Sequence, residues 1–156
     1  MWLGLAVAAV VALLDQAAKA WVLNFFDAHA GERLVPVAPV FNLVLTMNRG
    51  MSFGLFNDGT ANALIFTALA AAIVAALLVW LARTNEALLR CAIGLVVGGA
   101  VGNVADRLAR GAVVDFLDFH LGAVHWFAFN LADAAISVGV ALMVIDGLRG
   151  RREARN

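Results

Sequence analysis

The chain has 156 residues, 63% hydrophobic and 14% charged, with a mean hydropathy of +0.90. Soluble domains average roughly 45–50% apolar and 25% charged residues, so this composition is that of an integral membrane protein. The 11 basic and 11 acidic side chains cancel, which excludes the broad basic surface that nucleic acid requires; the single Cys91 excludes an internal disulfide and reads as a small buried hydrophobe.

About four helices of roughly 20 residues fit in this length, with loops, as one domain over residues 1–156. The first span is expected over 3–24. A cleaved signal peptide would want a basic start, which Met1-Trp2-Leu3 does not offer, and Asp15 falls where its apolar region should continue. The second span, 60–82, holds no ionisable side chain and closes at Arg83. Spans three and four are expected over 91–110 and 126–148. Between the first two spans, Val35 to Leu45 is rich in β-branched and large residues, bounded by Gly31 and Asn48-Arg49-Gly50, and reads as a small strand pair whose prolines mark edges. Val113 to Phe119 would add a strand, with Val113, Asp115, Leu117 and Phe119 on one face and Val114, Phe116 and Asp118 on the other.

Basic residues set the orientation. Arg83, Arg90, Arg149, Arg151, Arg152 and Arg155 flank the ends expected inside, against Arg33 and Arg49 in the long first loop. Both termini are therefore expected in the cytoplasm, with the strand region outside. Arg107 and Arg110 break this pattern at the outer end of span three.

Ionisable groups inside apolar segments are costly and mark function. Asn103, Asp106, Arg107 and Arg110 recur at i, i+3, i+4 and i+7 on the third span; Asn130, Asp133 and Ser137 do so on the fourth; Asp15 and Lys19 sit at i, i+4 on the first. Asp15 with Lys19, and Asp106 with Arg107 or Arg110, read as buried ion pairs that fix helix register. Asp115 and Asp133 have no cation within one helical turn in sequence and are the candidates for chemistry. Gly94, Gly98 and Gly102, with Gly99 and Ala100, form a small-residue patch expected to bring spans three and four close.

Five blocks, Asp15-Gln16-Ala-Ala-Lys19, Asn48-Arg-Gly50-Met-Ser-Phe53-Gly54, Gly98-Gly99-Ala-Val-Gly102-Asn103-Val-Ala-Asp106-Arg107, Val113-Val114-Asp115-Phe116 and Phe129-Asn130-Leu-Ala132-Asp133, occur in order over nearly the whole chain. They resemble the bacterial lipoprotein signal peptidases, the signal peptidase II family. The resemblance implies an inner-membrane aspartic endopeptidase, all-α with four transmembrane helices and a small extracytoplasmic β-sheet. It also implies cleavage of prolipoproteins before a diacylglyceryl-modified cysteine, near the periplasmic face. By residue it implies Asp115 and Asp133 as the catalytic pair, supported by Asp15, Lys19, Asn48, Gly50, Asn103, Asp106, Arg107, Asn130 and Ala132. Two positions depart from the family pattern: Phe127 follows Trp126 where relatives often carry proline, and Ala134 follows Asp133 where they often carry serine.

Two carboxylates hydrolyse a peptide when one is ionised, to activate water, and the other is protonated, to donate to the carbonyl oxygen; close placement in a partly desolvated site enforces that division. The soluble aspartic proteases are the general precedent, and there the titration belongs to the pair. No metal or cofactor is called for, and the enzyme is expected to act as a monomer among membrane lipids. Phe116, Phe119, Trp126, Phe127 and Phe129 are expected to form an aromatic rim for acyl chains. Three other readings exist. A proton or ion transporter would also use intramembrane carboxylates, but no internal repeat or broken helix is visible. A metalloprotease built on His120, His125 and Asp118 lacks an H-E-x-x-H motif, and both histidines read as interfacial loop residues. A structural four-helix subunit would not need the unpaired aspartates.

Overall fold

The computed structural model describes residues 1–29, 31–49 and 59–153; Gly50 and the rest of the segment to 58 lie outside the described residues. Four helices, α1 (Trp2–Ala28), α2 (Gly59–Arg83), α3 (Ala87–Arg110) and α4 (Leu131–Glu153), accompany strands β1 (Leu34–Ala38), β2 (Phe41–Asn48), β3 (Val113–Leu121) and β4 (Val124–His125). Each helix contains a stretch long and apolar enough to cross a membrane. Four such stretches, in a chain of this hydropathy, are those of a multi-pass membrane protein.

α3 is the central helix. It packs against α1, α4 and α2, and among the described residues α2 leans mainly on α3, with Leu81 also reaching Gly4 of α1. The reason is written in its small residues, because lipid offers no hydrophobic drive for helices to associate and close backbone approach must do so instead. A Cβ on Gly94 would lie 2.5 Å from the Gly4 carbonyl oxygen, one on Gly98 2.5 Å from that of Ala8, and one on Gly102 2.6 Å from Asp15 Oδ2. These three glycines therefore receive α1. Gly99 alone receives α4, against the Ala132 carbonyl and Ile136. The expectation that the four-spaced glycines join spans three and four is corrected: a stripe recurring every fourth residue meets one neighbour, and Gly99 lies 100° further round the helix.

The strands form one antiparallel sheet in the order β1-β2-β3-β4. The two expected strand regions are both present, and Pro36 lies on the edge strand β1. A register irregularity in β2 between Leu43 and Thr46 sits beside Asp115, whose pairing partner is Thr46; an extra residue there twists the strand and re-aims the side chains beyond it. The sheet is fastened to the bundle by Val22 and Phe26 of α1 packing with Leu43 and Phe116. Phe116 is thus core (5% exposed), not part of an aromatic rim, while Phe119, Trp126 and Phe127 are exposed at 44%, 73% and 91%.

The fourth helix begins at Leu131, five residues later than the span expected from Trp126. Hydrophobicity misplaces this boundary because residues 126–129 are apolar yet extended: Phe129 exchanges backbone hydrogen bonds with Leu117 of β3 (2.8 and 3.1 Å) and Trp126 N–H donates to Phe119 O at 2.7 Å. The other expected spans fall within the observed helices, which run somewhat longer. Gly111, with φ +71°, ends α3 in the left-handed conformation that glycine adopts freely, its N–H closing on Arg107 O at 3.0 Å. Cys91 is half-buried, more accessible than its expected core role.

Candidate active site

Asp115 comes from β3 and Asp133 from the first turn of α4, and amide side chains bring the two together. Asn130 Nδ2 donates to Asp115 Oδ1 at 2.7 Å, while the Asn130 backbone N–H donates to Asp133 Oδ2 at 3.3 Å. Asp133 N–H returns a bond to Asn130 Oδ1 at 3.0 Å. Asn130 is therefore the residue before α4 and not part of its polar stripe; it caps the helix, in reciprocal exchange with the residue three positions on. Asn48 Nδ2 reaches Asp115 Oδ2 at 2.9 Å from the end of β2. Asn103 Nδ2 reaches Asp133 Oδ1 at 2.8 Å from α3. All four carboxylate oxygens of the two aspartates thus face N–H donors. Among the described residues neither aspartate forms an ion pair.

Beneath the pair lies a buried cluster. Lys19 Nζ bonds Asp15 Oδ2 at 2.7 Å, Asp106 Oδ2 at 2.9 Å and Asn103 Oδ1 at 3.0 Å, with Lys19, Asp15 and Asp106 all fully buried. The two buried carboxylates have parallel tasks. Asp15 Oδ1 accepts the backbone N–H of Ala132 at 3.0 Å, and Asp106 Oδ2 accepts that of Val114 at 3.1 Å. Each holds the residue immediately before one aspartate of the upper pair, so Lys19 ties α1, α3, α4 and β3 to a single point. Arg110 closes the network on Asp106 at 2.7 Å.

The structure splits the expected stripe on α3. Asn103, Asp106 and Arg110 join the network, but Arg107 does not pair with Asp106: its guanidinium lies 5.9 Å from the Phe66 ring centroid and within 3.5 Å of the Asn103 carbonyl oxygen. Asp106 is already saturated by Lys19, Arg110, Gln16 and Val114, leaving Arg107 to turn toward α2. Ser137 is exposed and takes no part. Gln16 was missed by charge-based reasoning. Its Nε2 spans Gly102 O and Asp106 Oδ1, each at 3.1 Å, which couples α1 to α3; its place one residue after Asp15 in the first block was the available signal.

Burial, chiefly, pushes the Asp115 carboxyl up to about 6; the Asn48 and Asn130 amides pull it down and the nearby Asp133 charge pushes it up. On the other face of β3, burial also pushes Asp118 upward, but hydrogen bonds from Asn42 at 2.8 Å and from His125 at 2.9 Å outweigh it and hold Asp118 below the usual carboxylate range. His120 and His125 are opposed strand residues with rings stacked 4.9 Å apart, not loop residues. Among the described residues no group of three His, Cys, Asp or Glu side chains is placed to hold a metal ion.

A groove of about 270 Å³ opens between α2, α3 and α4, walled by Phe66, Ile73, Ala100 and Ile136, with Asn103 and Arg107 as its polar lining. Neither aspartate lines it, but Asn103 in its polar lining is the residue that bonds Asp133.

The family model described as signal peptidase (SPase) II matches residues 7–149. The chain belongs to the signal peptidase II family. The lipoprotein signal peptidase of Paraburkholderia phymatum is 48% identical over 159 aligned residues, covering 99% of this chain and 91% of the relative. That of Rhodopseudomonas palustris is 42% identical over 153 residues, covering 95% of this chain and 93% of its own. A bacterial membrane enzyme solved by the in meso method at 1.9 Å superposes with a TM-score of 0.77 at 27% identity, over 93% of this chain and 92% of that one. These comparisons give no support to the ion-transporter reading. As a member of the signal peptidase II family, the chain is a protease that removes signal peptides from prolipoproteins.

Proposed function

We propose that this signal peptidase II is an aspartic endopeptidase whose catalytic dyad is Asp115 and Asp133, cleaving a prolipoprotein just before its diacylglyceryl-modified cysteine. The observation that carries the reading is the amide bridge through Asn130, which holds one oxygen of each carboxyl group. In this mechanism one carboxylate takes a proton from water as its oxygen attacks the scissile carbonyl carbon. The partner carboxyl donates its proton to the carbonyl oxygen. Collapse of the tetrahedral adduct breaks the C–N bond, and the leaving amine takes up a proton from the dyad.

The groove between α2, α3 and α4 has room for a few apolar side chains of the signal segment, and Asn103 in its polar lining bonds Asp133. Trp2 and Trp21 are both exposed, and at 1.5 Å per residue they stand about 28 Å apart along α1, the hydrocarbon thickness of a bilayer. With the arginine asymmetry, this supports an inner-membrane enzyme with both termini cytoplasmic and the sheet and dyad on the periplasmic side; the proposed enzyme is one domain acting as a monomer. The exposed Phe119, Trp126 and Phe127 then lie where acyl chains enter the interface.

The test is cleavage of a lipidated precursor by the purified protein in detergent, with a chelator present, beside the same precursor without lipid. Rapid cleavage of the lipidated form and a lower rate for the other at saturating peptide are expected, because remote binding energy positions the scissile bond. Sensitivity to the chelator would remove the dyad mechanism, and equal rates would remove the role of the lipid in positioning.

A further inference from the structure

An ammonium group carries three N–H donors and no acceptor. Lys19 spends all three, on Asp15, Asp106 and Asn103. The third bond has a directional consequence that the other two lack, because carboxylates look the same from either side and a carboxamide does not. Facing a donor, Asn103 must present its oxygen. Its nitrogen is then turned the other way, onto Asp133 Oδ1 at 2.8 Å. Asn130 Nδ2 reinforces this orientation by donating to the same Asn103 oxygen at 3.3 Å. A reversed amide would set donor against donor at Lys19 and acceptor against acceptor at Asp133.

We propose that Lys19 is a positioning residue for the dyad: its ammonium fixes which way round the Asn103 amide sits and so ensures that Asp133 Oδ1 meets a donor. The proposal rests on the dyad reading above. Lys19 acts one group removed from the chemistry, and the ion pairs that make it look purely structural are what hold it at the required spot. Asp15 and Asp106 fix the ammonium in place; the ammonium fixes the amide; the amide fixes Asp133.

The test uses two routes, because Lys19→Met leaves the buried Asp15 carboxylate without a cation and the variant can fail to fold. The first is Asn103→Asp, which keeps the shape, leaves Lys19 a partner and sets an acceptor against Asp133. A fall in kcat of about 100-fold, with KM within about twofold and the melting temperature retained, is expected. The second is a double-mutant cycle of Lys19→Met with Asn103→Ala. Lys19→Met should lower kcat strongly in the wild-type background and by less than about threefold once Asn103 is gone, whereas its effect on melting persists in both. Wild-type turnover by Asn103→Asp, or an equal kcat loss with and without Asn103, overturns the inference. Asp133→Asn, assayed alongside, separates the two readings: if it is active the dyad itself is wrong, and if it is inactive beside a fully active Asn103→Asp only the role of Lys19 is lost.

Discussion

Asn130 and Asp133 cap one another across the first turn of α4: each backbone N–H donates to the other's side-chain oxygen, at 3.0 and 3.3 Å. The same Asn130 side chain bonds Asp115 at 2.7 Å, so the feature that starts the helix also sets the distance between the two proposed catalytic carboxyls. Replacing either aspartate by asparagine keeps the volume and removes proton transfer. Asp115→Asn and Asp133→Asn are each expected to lower kcat by a factor of about 100 to 10,000, with cooperative melting retained. Near-wild-type cleavage by either would refute the dyad.

The buried cluster predicts a graded set of stabilities. Lys19→Ala leaves the fully buried Asp15 carboxylate without a cation and should cost roughly 3–5 kcal/mol, whereas Asp106→Ala leaves Lys19 paired with Asp15 and strands only the partly exposed Arg110, which should cost less. Arg107→Ala should cost markedly less, because its contacts are the Phe66 ring and one long bond to a carbonyl. Thermal melting in detergent ranks the variants, and an Arg107→Ala loss equal to that of Lys19→Ala would contradict the separation.

Asp115 gives a pH prediction with a definite sign. Its carboxyl, raised by burial from 3.8 to about 6, binds a proton more tightly when folded, so its contribution to stability is complete below the unfolded value and is lost as pH rises through about 6. Wild type should lose more stability than Asp115→Asn between about pH 4 and 6.5. Asn48→Ala removes a hydrogen bond that favours the ionised form, which should move the loss to higher pH. Parallel melting curves for wild type and Asp115→Asn across this range would contradict it.

Gly102→Ala should fail where Gly147→Ala succeeds. A Cβ at 102 meets Asp15 Oδ2 at 2.6 Å, and Asp15 has no freedom to retreat from Lys19 and Ala132, whereas nothing lies within 4 Å of a Cβ at 147. Overpacking of this kind costs about 1–3 kcal/mol, while an exposed helical glycine replaced by alanine gains up to about 1 kcal/mol. Melting and cleavage of the two variants side by side decide it.

Local patterns in the sequence foretold what local physics determines. The pairing of Asp15 with Lys19 follows from helical spacing, and the alternation from Val113 to Phe119 delivers Asp115 to one face of a strand. What the sequence did not disclose depends on which neighbour a face meets. Periodicity puts Asp106, Arg107 and Arg110 on one stripe but cannot choose among them, and the choice fell on Arg110 because Lys19 and Gln16 arrive from α1. The glycine stripe announced close packing without naming α1. Hydrophobicity carried the fourth span back to Trp126, because apolar residues in an edge of sheet and in a membrane helix read alike; the Asn130 to Asp133 spacing was the better sign of the true start. Asn42, Asp118 and His125 draw β2, β3 and β4 together, a grouping that follows only from the sheet register.

The bond from Ala132 N–H to Asp15 joins residues 117 positions apart in sequence, and it has a meaning for the order in which the molecule is made. A chain emerging from the ribosome inserts its first helix long before its last. Until α4 arrives, Asp15 Oδ1 lacks the Ala132 N–H that it accepts, and Asp133 does not yet exist. The proposed dyad is therefore complete only once α4 has docked on α1, and every nascent form that lacks α4 lacks Asp133.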